Sequence, residues 1–237
     1  MKFGVVIFPG SNCDHDTVYT LREILDHEVV ELWHKETSIQ DVDVIVLPGG
    51  FSYGDYLRSG AIARFSKIMD EVIKFANKGG IVLGICNGFQ VLCEAGLLPG
   101  ALLHNKNQKF VCKNTFILPD NNESAINVLL DKNKPLKIPI AHGEGRYYAP
   151  EETLSTMRLN GQILFRYCNR NGDISEQYNP NGSVENIAGV CNEGKNVFGM
   201  MPHPERASDD ELGNTDGRVI LESLIKTLEE KKVSFFN

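Results

Sequence analysis

No Cys-x-x-Cys pair occurs among the six cysteines of this 237-residue chain, at positions 13, 86, 93, 112, 168 and 191. That excludes the usual zinc-site spacing, and a disulfide framework is not expected in a chain of this size without secretion. Positive charge is scarce as well: 24 Lys and Arg against 31 Asp and Glu leave a net charge of -7. A chain so balanced lacks the basic surface that phosphate-backbone binding needs, so no nucleic-acid partner is expected. No apolar run approaches the length of a membrane span. The segment Met1 to Gly10 reads as a strand and turn, without the apolar core and cleavage site of a signal peptide, which places the chain in the cytoplasm. Neither a G-x-x-x-x-G-K-[ST] loop nor a G-x-G-x-x-G run after a strand is present, so the chain shows no recognisable nucleotide site of its own.

Apolar residues make up 42% and charged residues 23%, ordinary for a protein that buries a sizeable core. In the first half, short apolar strands alternate with helical patterns. Phe3 to Phe8, Val29 to Trp33 and Val42 to Leu47 read as strands. Asp14 to His27 and Ala61 to Asn77 read as helices, the second closed by Lys78-Gly79-Gly80. Strands separated by helices imply a doubly wound, mainly parallel sheet with flanking helices. After Gly100 the texture becomes antiparallel, with strands over Gln108 to Leu118, Leu136 to His142, Gln162 to Asn169 and Ile187 to Met201, the last bent at Asn192 to Lys195. Arg218 to Lys231 closes the chain as a helix. The expectation is an α/β fold with an antiparallel β addition, in one domain over residues 1–237.

The chemistry concentrates at Gly84-Ile85-Cys86-Asn87-Gly88-Phe89-Gln90, where a β-prone run stops at Gly-x-Cys-x-Gly and a helical stretch follows at once. This is the thiol form of a nucleophile elbow, a tight strand-to-helix turn that holds a reactive side chain above a sheet. Small residues on either side permit the strained turn, and the helix aims amide hydrogens and its positive end at the sulfur. Read alone, Cys86 could equally be a small buried apolar residue; the other five cysteines are expected to pack that way.

A thiol nucleophile needs a base and a group to orient the base. His203 stands in Met201-Pro202-His203-Pro204-Glu205, fixed by prolines on both sides, with Glu205 on the same face of an extended segment. The alternative for His203 taken singly is a surface loop histidine. The Asn87 N–H is placed just after the nucleophile to hold an oxyanion, and the loop Pro48-Gly49-Gly50-Phe51 is the source expected for a second donor. That loop is also readable as a plain glycine turn.

Gly-x-Cys-x-Gly-x-Gln together with His-Pro-Glu resembles the class I glutamine amidotransferases. The resemblance implies a Cys86–His203–Glu205 triad that releases ammonia from glutamine through a glutamyl thioester. It also implies Gly50 as the second oxyanion donor, give or take one residue, and Gln90 as a residue that binds the substrate glutamine. Stand-alone cysteine hydrolases of the same superfamily usually carry histidine directly after the cysteine, where this chain has Asn87. Three further stretches, Phe8 to Asp14, Pro48 to Arg58 and Pro139 to Tyr147, are similar to the glutaminase subunits of phosphoribosylformylglycinamidine synthases of purine biosynthesis. From that resemblance His142 and Glu144 help to hold glutamine, although a polar turn with the imidazole on a backbone carbonyl is the other reading. It implies no cofactor on this chain. ATP and Mg would belong to a large synthetase subunit that receives the ammonia, with a small accessory subunit in the same complex. A non-enzymatic subunit that kept only the fold is the rival; intact Cys86, His203 and Glu205 speak against it.

Overall fold

The structure is a computed structural model that describes residues 1–121 and 123–234. Among them, eleven strands form in chain order: β1 (Lys2–Ile7), β2 (Glu28–Trp33), β3 (Val44–Leu47), β4 (Ile81–Ile85), β5 (Ala101–Leu103), β6 (Val111–Pro119), β7 (Leu136–His142), β8 (Arg146–Tyr148), β9 (Ile163–Cys168), β10 (Ile187–Cys191) and β11 (Val197–Met200). The helices are α1 (Asp14–Tyr19), α2 (Lys67–Asn77), α3 (Asn87–Glu94), α4 (Glu151–Leu159) and α5 (Arg218–Ser234). Nine strands make one sheet in the order β2-β1-β3-β4-β11-β10-β9-β6-β7, while β5 and β8 pair separately. From β2 to β11 the pairing is parallel; from β11 to β7 it is antiparallel.

Burial follows position in this sheet. All residues of β3, β4, β10 and β11 are buried, as strands covered on both faces require. The edge strand β7 alternates instead, with Leu136, Ile138, Ile140 and His142 buried and the residues between them more exposed. The antiparallel half is thus an extension of the same sheet. β11, from late in the chain, inserts beside β4 with Val197 opposite Val82 and Met200 opposite Ile85. That insertion brings the His203 loop next to the elbow.

Two expected helices differ in detail. Ala61 to Asn77 is broken at Ser66, whose extended backbone (φ -64°, ψ 146°) separates a short 3-10 turn at Ala63–Phe65 from α2. The break is stabilised from outside the helix: Ser66 Oγ is 3.0 Å from the Tyr53 hydroxyl, and the Ile68 N–H donates to His34 O at 3.2 Å. Asp14 to His27 holds α geometry only through Tyr19 and then widens to a π turn over Thr20–Ile24. In that turn the Thr20 hydroxyl donates to the Glu205 carbonyl at 3.0 Å. Bulges of this kind are frequent at functional sites. Two cysteines are less buried than expected: Cys112 is exposed, since β6 turns its first residues to solvent, and Cys93, near the end of α3, is half-buried.

The elbow depends on its glycines. Any Cβ on Gly88 would lie 1.9 Å from Leu47 O, and one on Gly84 would lie 2.7 Å from the Gly88 backbone. Such overlaps leave no alternative residue for a helix seated this closely on β3 and β4. Cys86 itself takes φ 50°, ψ -103°, a conformation L residues adopt only where the surroundings impose it. Its N–H donates to Met200 O at 2.8 Å, locking the turn to the end of β11.

Candidate active site

Cys86 sits between β4 and α3 with its sulfur pointing toward Ala141 O at 3.6 Å. Beyond β11, Pro202 carries the chain to His203, whose N–H donates to Pro139 O at 2.9 Å. The imidazole and the Glu205 carboxyl are both almost wholly buried, and His203 Nδ1 meets Glu205 Oε1 at 2.6 Å. Burial alone would drive the imidazole to lose its proton. The Glu205 carboxylate and then the Cys86 sulfur outweigh it, holding His203 well above the ordinary histidine range. Among the described residues Nε2 has no conventional hydrogen-bond partner; the Cys86 and Cys13 sulfurs are its polar neighbours. A buried nitrogen in that state is poised to accept or deliver a proton.

The loop after β3 closes over the elbow. Gly50 has φ 127°, and a Cβ there would lie 2.6 Å from the Asn12 N. The amides that follow are committed, Phe51 N–H to Gly10 O at 3.2 Å and Ser52 N–H to Asn87 Oδ1 at 3.2 Å. The Asn87 side chain ties the whole arrangement together. Its Oδ1 also accepts from the Ser52 hydroxyl, and its Nδ2 donates to Gln90 Oε1 at 2.9 Å and Asp55 Oδ1 at 3.3 Å. Gln90 Nε2 in turn donates to Glu144 O at 2.6 Å. Gly50, Asp55, Cys86, Gln90 and Glu144 line one cavity beside the sulfur. Glu144 Oε2 accepts the Ser59 N–H at 3.1 Å. Burial pushes Asp55 up to about 6, with the Glu144 carboxylate adding to the rise while hydrogen bonds from Ser59 and Asn87 oppose it.

His142, expected to hold substrate, also lines that cavity, and its imidazole engages Asn105 and Asn181. Asn105 Nδ2 donates to Lys109 O and His142 O (2.8 and 2.9 Å), which turns Asn105 Oδ1 toward His142 Nδ1 at 3.1 Å. Asn181 Nδ2, already donating to Gly145 O at 2.8 Å, approaches His142 Nε2 at 3.5 Å. His142 is therefore neutral, its Nδ1 donating and its Nε2 accepting, and it supports the loop that carries Glu144. Burial, then repulsion from His203, depress it to about 4. An unfolded histidine takes up its proton near 6.5. The folded state thus binds fewer protons between 6.5 and about 4, and stability falls as pH falls through that window. We expect wild type to lose about 3 kcal/mol more than His142→Gln between pH 7 and 4, read from urea midpoints. Asp55 contributes the opposite slope to both proteins and cancels in the difference.

Sequence reasoning missed Asp55, Asn105, Asn181 and the setting of Cys13. Cys13 is not a mere filler: Arg206 Nη2 donates to its sulfur at 3.1 Å, and Arg206 Nε to Asp16 Oδ2 at 2.9 Å. Cys13, His203 and Glu205 present ligand-type atoms within 4.8 Å of one another. The guanidinium on Cys13 and the Glu205–His203 bond suit that cluster to proton transfer rather than to a cation.

Fold and site together define a class I glutamine amidotransferase: a cysteine elbow in the parallel half of a mixed sheet, faced by a buried imidazole–carboxylate pair. Residues 1–220 match the family model described as a CobB/CobQ-like glutamine amidotransferase domain. The chain is 54% identical over 224 residues to phosphoribosylformylglycinamidine synthase subunit PurQ of Salinibacter ruber, covering 94% of this chain and 95% of that one. It is 56% identical over 225 residues to the PurQ subunit of Aquifex aeolicus, covering 95% and 99%. Among solved structures, PurLQS from Thermotoga maritima superposes with a TM-score of 0.84 at 42% identity, covering 96% of this chain and 98% of that chain. A further glutamine amidotransferase from Thermotoga maritima, at 19% identity and a TM-score of 0.56 over 98% of this chain and 86% of that one, shares the fold. The chain belongs to the PurQ family of glutamine amidotransferases. No helix among the described residues is long and apolar enough to cross a membrane.

Proposed function

We propose that this chain is the glutaminase subunit of a phosphoribosylformylglycinamidine synthase. It hydrolyses glutamine and hands ammonia to a large synthetase subunit for the ATP-dependent conversion of phosphoribosylformylglycinamide to its amidine. The observation that carries the reading is Cys86 held at φ 50° at the start of α3, beside a buried His203–Glu205 pair joined at 2.6 Å. His203 takes the Cys86 proton, and the sulfur attacks the side-chain amide carbon of glutamine. The N–H groups of Asn87 and Gly50 hold the oxyanion, and His203 protonates the departing ammonia. Water activated by the same nitrogen then hydrolyses the thioester to glutamate. Glu205 orients the imidazole and stabilises its charged form.

Gln90 and the Glu144 loop frame the cavity that receives glutamine, with His142 supporting that loop from beneath. Asp55 and Glu144 supply negative charge suited to the α-ammonium group of the substrate. Relatives in this family are named as synthase subunits, and the solved neighbour is a PurLQS assembly; the ATP and Mg of the reaction would therefore sit on the partner synthetase, with a small accessory subunit completing the complex. The test is protection from alkylation. Iodoacetamide should label Cys86 ahead of the other thiols, and millimolar glutamine should slow that labelling several-fold while asparagine does not. Labelling indifferent to glutamine would refute the reading.

A further inference from the structure

Cys13 is a buried thiol that glutamine hydrolysis does not use, yet it lies at the reacting centre. A methyl group placed on Gly49 would sit 3.3 Å from the Cys13 sulfur, 3.3 Å from Cys86 Cβ and 2.7 Å from His203 Cε1. The Cys13 sulfur is thus no further from Cys86 Cβ than twice 3.3 Å, with no side chain on residue 49 between them. The loop bearing Cys13 follows β1 and is tied to the Gly50 turn by backbone bonds such as Cys13 N–H to Gly49 O at 3.4 Å. Closing the remaining gap would draw on the two side-chain torsions and on this loop.

The surroundings favour reaction. The Arg206 guanidinium donates to the Cys13 sulfur at 3.1 Å, a cationic neighbour of the kind found beside reactive cysteines. A cavity of about 190 Å³ lined by Cys13, His203, Arg206, Phe51 and Phe110 reaches the same point, room enough for a peroxide molecule. The Cys13 sulfur lies within 4.8 Å of a ring nitrogen of His203, the imidazole that also neighbours Cys86.

We infer that Cys13 is the resolving thiol for Cys86, the two forming a reversible disulfide when the site meets a peroxide. Cys86 attacks hydrogen peroxide: the O–O bond breaks, one oxygen stays on sulfur as the sulfenic acid, and the other leaves as water. Cys13 then attacks the Cys86 sulfur. The S–S bond forms as the S–O bond breaks, and the departing hydroxide takes the Cys13 proton through His203 to leave as a second water. Two thiols and one peroxide become one disulfide and two waters, and further oxidation of Cys86, which would be irreversible, is intercepted.

The full-length chain is exposed to a several-fold molar excess of hydrogen peroxide, remaining thiols are blocked, and peptides are read by mass spectrometry. This readout is independent of glutaminase activity. Wild type should yield a Cys13–Cys86 linked peptide that dithiothreitol removes. In Cys13→Ser, Cys86 should instead gain two oxygens and resist dithiothreitol. Arg206→Gln, which keeps both thiols, should form the link several-fold more slowly. Absence of the linked peptide in wild type, or equal linkage rates in wild type and Arg206→Gln, or dithiothreitol-reversible oxidation of Cys86 in Cys13→Ser, would each overturn the inference.

Discussion

Cys86→Ala is expected to reduce glutamine-dependent synthesis by about ten-thousand-fold or more, while the assembled synthetase still works on added ammonium salt. The size of the first effect follows from the nature of the step. Without the sulfur no thioester forms, and only the oxyanion donors and binding remain to assist attack by water. Those groups retain a modest residual rate over the uncatalysed reaction. Persistence of the second activity follows because the variant removes only a few atoms from an elbow held by backbone bonds to Met200 and by Gly88 against Leu47. The partner surface stays as it was. Serine would rescue little, because a hydroxyl is a far weaker nucleophile with the same base. Equal loss of both activities in Cys86→Ala would remove the cysteine from the mechanism.

The second large effect separates His203 from Glu205. His203→Ala should match the Cys86 variant within an order of magnitude, since base and nucleophile act as one unit. Glu205→Gln should retain one to two orders of magnitude more activity, because an orienting group contributes less than the base it orients. Loss of the carboxylate also changes which influence on the imidazole dominates. In wild type the Glu205 carboxylate and Cys86 raise His203 against the effect of burial. Stability from that raised group is fully present below the unfolded value near 6.5 and is lost as pH rises through the higher folded value. With glutamine at 205 much of that attraction is gone and burial acts with less opposition. The alkaline loss should shrink, and stability should weaken toward acid instead. Denaturant midpoints at pH 5, 7 and 9 for both proteins check the change of slope; parallel profiles would mean that Glu205 does not govern the imidazole.

What was legible in the amino-acid order was whatever is specified locally. Gly84, Cys86 and Gly88 encode a turn whose close contacts depend on those positions, and that turn read correctly. Pro202-His203-Pro204-Glu205 fixes a loop over a few residues, but Glu205 lies in a 3-10 turn over Pro204–Ala207 rather than in the extended segment expected, because the proline after His203 opens that turn. Strands such as Leu136 to His142 matched residue for residue because their burial alternates as an edge strand's should. Features set by distant partners did not read. The interruption at Ser66 depends on Tyr53 and His34, and the role of His142 depends on Asn105 and Asn181. No periodicity announces such contacts. β5 and β8, three residues each, pair only with one another and fall below the length at which alternation carries a signal. α4 escaped notice because its buried stripe is only Leu154 and Met157. Asp55 was visible in Gly-Gly-Phe-Ser-Tyr-Gly-Asp, yet only packing shows that it shares a cavity with Glu144.

The insertion of β11 beside β4 has a consequence during synthesis. A ribosome that has released residues through the elbow has made the thiol but not the imidazole, and β4 still offers one open edge. Competence for chemistry arrives only when a strand translated more than a hundred residues later slots in, a pairing of high sequence separation and hence slow closure. Premature termination anywhere before that strand would leave a chain that is catalytically silent and prone to stick to its neighbours along β4.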